Sequence, residues 1–172
     1  ADFTAAPSWS SFDTATLTGA PKGFVGGAFD GRYLYLVPFV SGQGMQHGVV
    51  TRFDTRAAFG NAASWSTFDT NGVSPTAKAF IGGAFDGRFA YFVPATNGQV
   101  TRYDSAQPFE ATAAWATFDT TTVAADARGF NGAVFDGRYL YLVPHSGSRV
   151  ARFDAKTPRA LPPLPFHFGS FL

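Results

Sequence analysis

One stretch occurs three times in this chain of 172 residues. Gly23–Pro38 reads GFVGGAFDGRYLYLVP, Ala79–Pro94 reads AFIGGAFDGRFAYFVP, and Gly129–Pro144 reads GFNGAVFDGRYLYLVP. Each copy is followed by VVTRFD, QVTRYD or RVARFD and preceded by SWSSFDT, SWSTFDT or AWATFDT. Trp9, Trp65 and Trp115 lie 56 and 50 residues apart, as do Asp30, Asp86 and Asp136. Arg52, Arg102 and Arg152 lie 50 and 50 apart, so the extra residues of the first unit fall between Pro38 and Arg52, in SGQGMQHG. A period of this size means repeated supersecondary units, which must stack on one another to bury their apolar faces.

Each unit predicts four strands. Strand A covers Phe24–Phe29, Phe80–Phe85 and Phe130–Phe135, and its glycines suit a place where backbones crowd together. Asp-Gly then makes a two-residue hairpin turn, because Gly tolerates positive φ and Asp tolerates it better than most. Strand B starts at Arg32, with Tyr33, Tyr35 and Val37 on one face and Leu34 and Leu36 on the other. Both faces are apolar, as for a sheet with neighbours on both sides. Pro38, Pro94 and Pro144 end the strand. Strand C is Val49–Phe53 and its copies, and strand D is Ser8–Phe12, Ser64–Phe68 and Ala114–Phe118. The composition agrees: 20 Phe, 6 Tyr, 3 Trp, 19 Gly and 11 Pro, with a single Met and Glu110 as the only glutamate.

Four antiparallel strands per unit of about 50 residues is the signature of a propeller blade. The pattern resembles kelch-like repeats, which carry a small-residue strand, a short turn, an aromatic-rich strand, and a Tyr-Asp or Phe-Asp element with a Trp about ten residues on. Here that element is Arg52-Phe53-Asp54 with Trp65 and Arg102-Tyr103-Asp104 with Trp115, and Val-Pro stands where the family has its double glycine. The resemblance covers the chain to about residue 156 and implies an all-β propeller of four-stranded antiparallel blades.

The order of pieces is D, ABCD, ABCD, ABC, with repeats near residues 21–69, 77–119 and 127–156. Three blades do not close a propeller. The expectation is therefore a homodimer with six blades, in which the first D strand of one chain, carrying Trp9 and Phe12, completes the last blade of the other; the alternative is a fragment of a longer propeller protein. This exchange also covers the exposed edges. The tail from residue 157 to 172, TPRALPPLPFHFGSFL, is too rich in proline for a regular helix or central strand. Its Leu161, Leu164, Phe166, Phe168 and Phe171 are too apolar for a solvated linker, so it is expected to pack on its own propeller, its dimer mate or a third protein.

For function, composition excludes more than it selects. The net charge of +1 gives no case for nucleic acid. With no cysteine there is no thiolate metal site, disulfide or cysteine nucleophile. No apolar run approaches the ~20 residues that span a membrane. The chain begins Ala-Asp-Phe rather than with Met, which suggests either a removed signal peptide or a trimmed chain, and the first is preferred, for a secreted, periplasmic or cell-surface protein. The nucleophile, phosphate-loop and zinc-protease signatures are absent, so the expectation is a non-catalytic protein without cofactor. His47, His145 and His167 occupy unrelated positions without metal-ligand spacing.

The Asp-Gly-Arg motif reads as a turn whose Arg pairs with a nearby carboxylate, and Arg-Phe/Tyr-Asp as an ion pair between blades. Lys22, Lys78 and Arg128 each sit two residues before the Phe that opens strand A, so they would gather at one mouth of the channel. Either Asp13, Asp69 and Asp119 neutralise them, or they form an anion site. The unequal loops between strands B and C carry Gln43 and His47, Asn97, and His145 and Arg149; unequal loops on equal scaffolds are where specificity concentrates. The reading is a lectin-like module recognising a glycan or anionic group. The alternative is a structural or assembly subunit that docks through the apolar tail, by Phe166, Phe168 and Phe171, into a larger protein assembly.

Overall fold

The computed structural model describes residues 2–156, so the expectations placed on residues 157–172 lie outside it. The chain is all-β. Strands β1 (Phe24–Phe29), β2 (Tyr33–Pro38), β3 (Val49–Asp54) and β4 (Trp65–Asp69) form one antiparallel sheet in sequence order. Strands β5 (Phe80–Phe85), β6 (Phe89–Pro94), β7 (Gln99–Asp104) and β8 (Trp115–Asp119) repeat it. Among the described residues the third sheet has β9 (Phe130–Phe135), β10 (Tyr139–Pro144) and β11 (Ala151–Asp154). Among the described residues, no helix is long and apolar enough to cross a membrane.

The Asp-Gly turns hold each sheet's first hairpin. Asp86 Oδ1 accepts from the backbone N–H of Arg88 and Phe89, and Asp30 and Asp136 accept from the equivalent pairs. The other carboxylate oxygen takes the hydroxyl of Tyr35, Tyr91 or Tyr141 at 2.6, 2.8 and 3.0 Å. One side chain therefore fixes the turn and also anchors the strand that follows it.

The sheets stack face to face through their middle strands. On β6, Ala90 and Phe92 point into the core shared with the first sheet, alongside Tyr35, Val37 and Phe80. Tyr91 and Val93 point the other way, against Phe130, Leu140 and Leu142 of the third sheet. This alternation follows from the two-residue period of a strand and accounts for the two apolar faces read from the sequence. The innermost strands β1, β5 and β9 pack side by side. A Cβ on Gly82 would lie 2.7 Å from Gly132 Cα, so glycine is what lets these backbones approach.

A stacked pair of rings closes the outer part of the first interface. Phe68 on β4 lies parallel to Trp115 on β8, with centroids 4.4 Å apart, and Phe92, Tyr103 and Phe109 surround the same indole. Trp115 is left 5 % exposed.

The predicted strand at Ser8–Phe12 does not form. Trp9 is extended (φ −114°, ψ 148°) but hydrogen-bonds to no neighbouring strand. The reason is topological: a strand is a property of a pair, and among the described residues no strand lies beside this segment. The segment nonetheless has the conformation of β4 and β8 with their flanks. Three-residue 3₁₀ turns at Ala6–Ser8 and Thr14–Thr16 match those at Ala62–Ser64 and Thr70–Gly72. Trp9, Trp65 and Trp115 each donate from Nε1 to the carbonyl of Phe3, Phe59 or Phe109.

Candidate functional site

The cations that precede strand A and the loops that follow strand B lie together along one edge of the stacked sheets. The link is made by the backbone at Gly23, Ala79 and Gly129, each in the left-handed region with φ of 79°, 57° and 72°. This turn brings the lead-in segment against the end of the hairpin it opens: Phe39, Ala95 and His145 donate their N–H to the carbonyls of Gly23, Ala79 and Gly129. The first loop also reaches the next sheet, since Ala79 donates to the His47 carbonyl at 3.1 Å. The second reaches the third sheet, with the Ala95 carbonyl close beside Gly129. Cation and loop therefore alternate along the edge: Lys22, the loop with Gln43 and His47, Lys78, the loop with Asn97, Arg128, and the loop with His145 and Arg149.

The individual side chains divide into two groups. Lys22 and Arg128 are exposed and Lys78 is half-buried. Lys22 extends over Gly42, and the Arg128 backbone abuts Gly147. None of these three cations forms an ion pair among the described residues. Asp13, Asp69 and Asp119, the carboxylates considered as their neutralisers, instead accept from the N–H of Ala15, Asn71 and Thr121 and cap the short 3₁₀ turns that follow. Gln43 and His145 are exposed. His47 is half-buried against the edge of Phe24, and its Nε2, like Ser41 Oγ in the same loop, is buried without a hydrogen-bond partner among the described residues.

Two of the selected residues serve the scaffold. Asn97 donates to the Thr76 carbonyl and accepts from Gln99 N–H, which pins the second loop. Arg149 pairs with Asp126 at 2.5 Å, and that hydrogen bond holds the Asp126 carboxyl below the usual carboxylate range. Trp9 and Phe12, selected for assembly, lie at the far end of the stack: Phe12 stacks on Trp65 at 4.6 Å, and Trp9 is 62 % exposed. Phe166, Phe168 and Phe171 fall outside the described residues. Among those residues no cluster of three or more His, Asp or Glu side chains is arranged to hold a metal ion.

The two repeated Arg motifs behave differently from one another. Arg32, Arg88 and Arg138 of Asp-Gly-Arg pair with Asp54, Asp104 and Asp154 of the same sheet at 2.6, 2.8 and 2.9 Å. The guanidinium beside each of these aspartates lowers its pKa. The ion pair between sheets expected from Arg52-Phe53-Asp54 is not formed, because Asp54 is engaged by Arg32. Arg52 stacks on Tyr33 of its own sheet and on Phe109 of the next, 4.2 Å from each centroid. Arg102 likewise lies over Phe89 and faces Phe153. The sequence reading missed these cation–π bridges; the signal that could have found them is the aromatic residue repeated at Tyr33, Phe89 and Tyr139. Burial raises the Tyr35 and Tyr91 hydroxyls well above the usual tyrosine range, so they remain proton donors to Asp30 and Asp86.

The edge offers cations, amides, backbone groups and the His47 imidazole, with Met45 exposed in the first loop. This arrangement suits holding an oxygen-rich or anionic group. No protein-family model matches the chain, and no curated protein matches it.

Proposed function

We propose that the protein is a non-catalytic, lectin-like binding module that holds a glycan or anionic group along the edge carrying Lys22, Lys78 and Arg128. In this reading the sheets are blades of a kelch-like propeller, three per chain and six in a pair of chains, and the edge is one mouth of its central channel. The observation that carries the reading is the repetition of a cation that forms no salt bridge among the described residues, each beside a loop that differs from unit to unit. Like charges brought to one edge repel, and an anionic ligand removes that repulsion. The unequal loops supply selectivity, and repetition raises avidity without new contacts.

A glycan array that includes sulfated and carboxylated sugars tests this. The expected result is binding to acidic glycans that weakens at least ~10-fold in the triple variant Lys22→Gln, Lys78→Gln, Arg128→Gln and falls with salt. The melting temperature should hold, because these side chains make no ion pair in the described fold. Undiminished binding by a folded triple variant would remove the edge from consideration.

A further inference from the structure

The outer part of the second interface lacks what closes the first. Phe118 on β8 occupies the place of Phe68 but has no tryptophan to stack on, and it is 56 % exposed. Phe153, the counterpart of Phe53 and Tyr103, is 44 % exposed on β11, whose outer edge pairs with no strand among the described residues. Between them runs a groove of about 560 Å³, lined by Phe118, Phe153, Val123, Val150 and the stem of Arg102. In the first interface the corresponding space holds Phe109 and the β8 strand with Trp115.

We infer that this groove receives residues 3–13 of a second copy of the chain, and that each copy both donates and accepts. This rests on the propeller reading above and names the contact that closes it. Three observations select the occupant. Residues 3–13 have the 3₁₀ turns, the Trp-to-carbonyl hydrogen bond and the terminal Asp cap of the segments that fill the equivalent positions, yet pair with no sheet. Phe12 stacks on Trp65 as Phe68 stacks on Trp115, at 4.6 and 4.4 Å, so the segment sits where the fourth strand of a preceding sheet belongs. The end faces of the stack are both unfinished: Phe29 on the first sheet is 53 % exposed, while Phe85 and Phe135, its equivalents, pack into the two cores.

The register follows from the two complete sheets, where Phe53 pairs with Trp65, Arg52 with Ser66, Thr51 with Thr67, Val50 with Phe68 and Val49 with Asp69. By the same offset Phe153 meets the partner's Trp9, Arg152 its Ser10, Ala151 its Ser11, Val150 its Phe12 and Arg149 its Asp13. The side chains agree with this pairing: Arg152 meets a serine hydroxyl as Arg52 meets Ser66 Oγ at 3.2 Å. The partner's Trp9 then stacks under Phe118.

The chain has no cysteine, so cross-linking reads the register directly. The double variant Ser11→Cys, Ala151→Cys is expected to form a covalent dimer with both bridges between chains, while Ser11→Cys with Phe29→Cys yields none. Trp9→Ala, which alters a side chain exposed in the single chain, should weaken the dimer on the order of 30-fold or more, as for a central aromatic anchor. A folded protein that stays monomeric, or a dimer indifferent to Trp9→Ala and not cross-linked at positions 11 and 151, would overturn the inference. Residues 157–172 filling the groove of their own chain would give that monomer. Loss of glycan binding with cross-linking intact would instead count against the ligand reading alone.

Discussion

At the scale of the residue, Asp86 shows how much one side chain can hold. It is 3 % exposed and satisfies two backbone N–H groups and one tyrosine hydroxyl. Asp86→Ala leaves a buried hydroxyl and two part-buried N–H groups without their acceptor and should cost about 2 kcal/mol or more, whereas Tyr91→Phe removes one donor and should cost about 1 kcal/mol. Equal losses in urea denaturation would mean that the turn contacts carry no weight. Gly23 and Ala79 make a second contrast. A Cβ on Gly23 would fall 1.9 Å from the Val40 carbonyl oxygen at a φ of 79°, so Gly23→Ala must shift the first loop and should cost more than ~2 kcal/mol. Ala79 already occupies the equivalent position at φ 57°, and Ala79→Gly should change stability by less than ~1 kcal/mol, because relief of backbone strain offsets lost packing. The ion-paired aspartates set the acid limit. Asp54, Asp104 and Asp154 have folded pKa values depressed by their arginines. Their stabilisation is therefore present above the unfolded-chain value of ~3.9 and is lost as pH falls through the lower folded values. Thermal midpoints should be level from about pH 7 to 5 and drop below about pH 4; a midpoint unchanged down to pH 2 would contradict the assignment.

At the scale of the element, the hairpins were legible because their signals are local: Asp-Gly fixes the turn, alternation fixes the faces and proline fixes the end. The boundaries of β1, β5 and β9 match those read from the sequence. What was not legible depended on partners. Ser8–Phe12 carries the same pattern as β4 and β8 but needs a neighbouring strand, and none of the described strands lies beside it. The two-residue spacing of Arg52 and Asp54 gave their common face but not their contacts, since Asp54 sits beside Arg32 across the β2–β3 pair and Arg52 meets rings of two sheets. Asn97 and Arg149 were selected from loop position alone, and the structure assigns both to holding those loops. The alternation of cations and loops along one edge was readable, because a lead-in segment and the end of its hairpin must meet.

At the scale of the whole molecule, repetition explains both the core and its gaps. Each sheet presents two apolar faces, so among the described residues a stack of three leaves one face uncovered at each end and one fourth strand without a sheet. An open stack exposes Trp9, Phe29, Phe118 and Phe153. Two copies related by a two-fold axis bury all four at once, and the stability of such an assembly must rise with concentration. In the proposed six-bladed assembly, closure would bring the cations of both chains to one mouth, which would join assembly to ligand binding. The solution mass at micromolar concentration, measured on a protein shown to be folded, tests the account most directly. It should be twice the 18.3 kDa of one chain and should fall toward that value in Trp9→Ala; a folded, stable monomer of 18.3 kDa would contradict it.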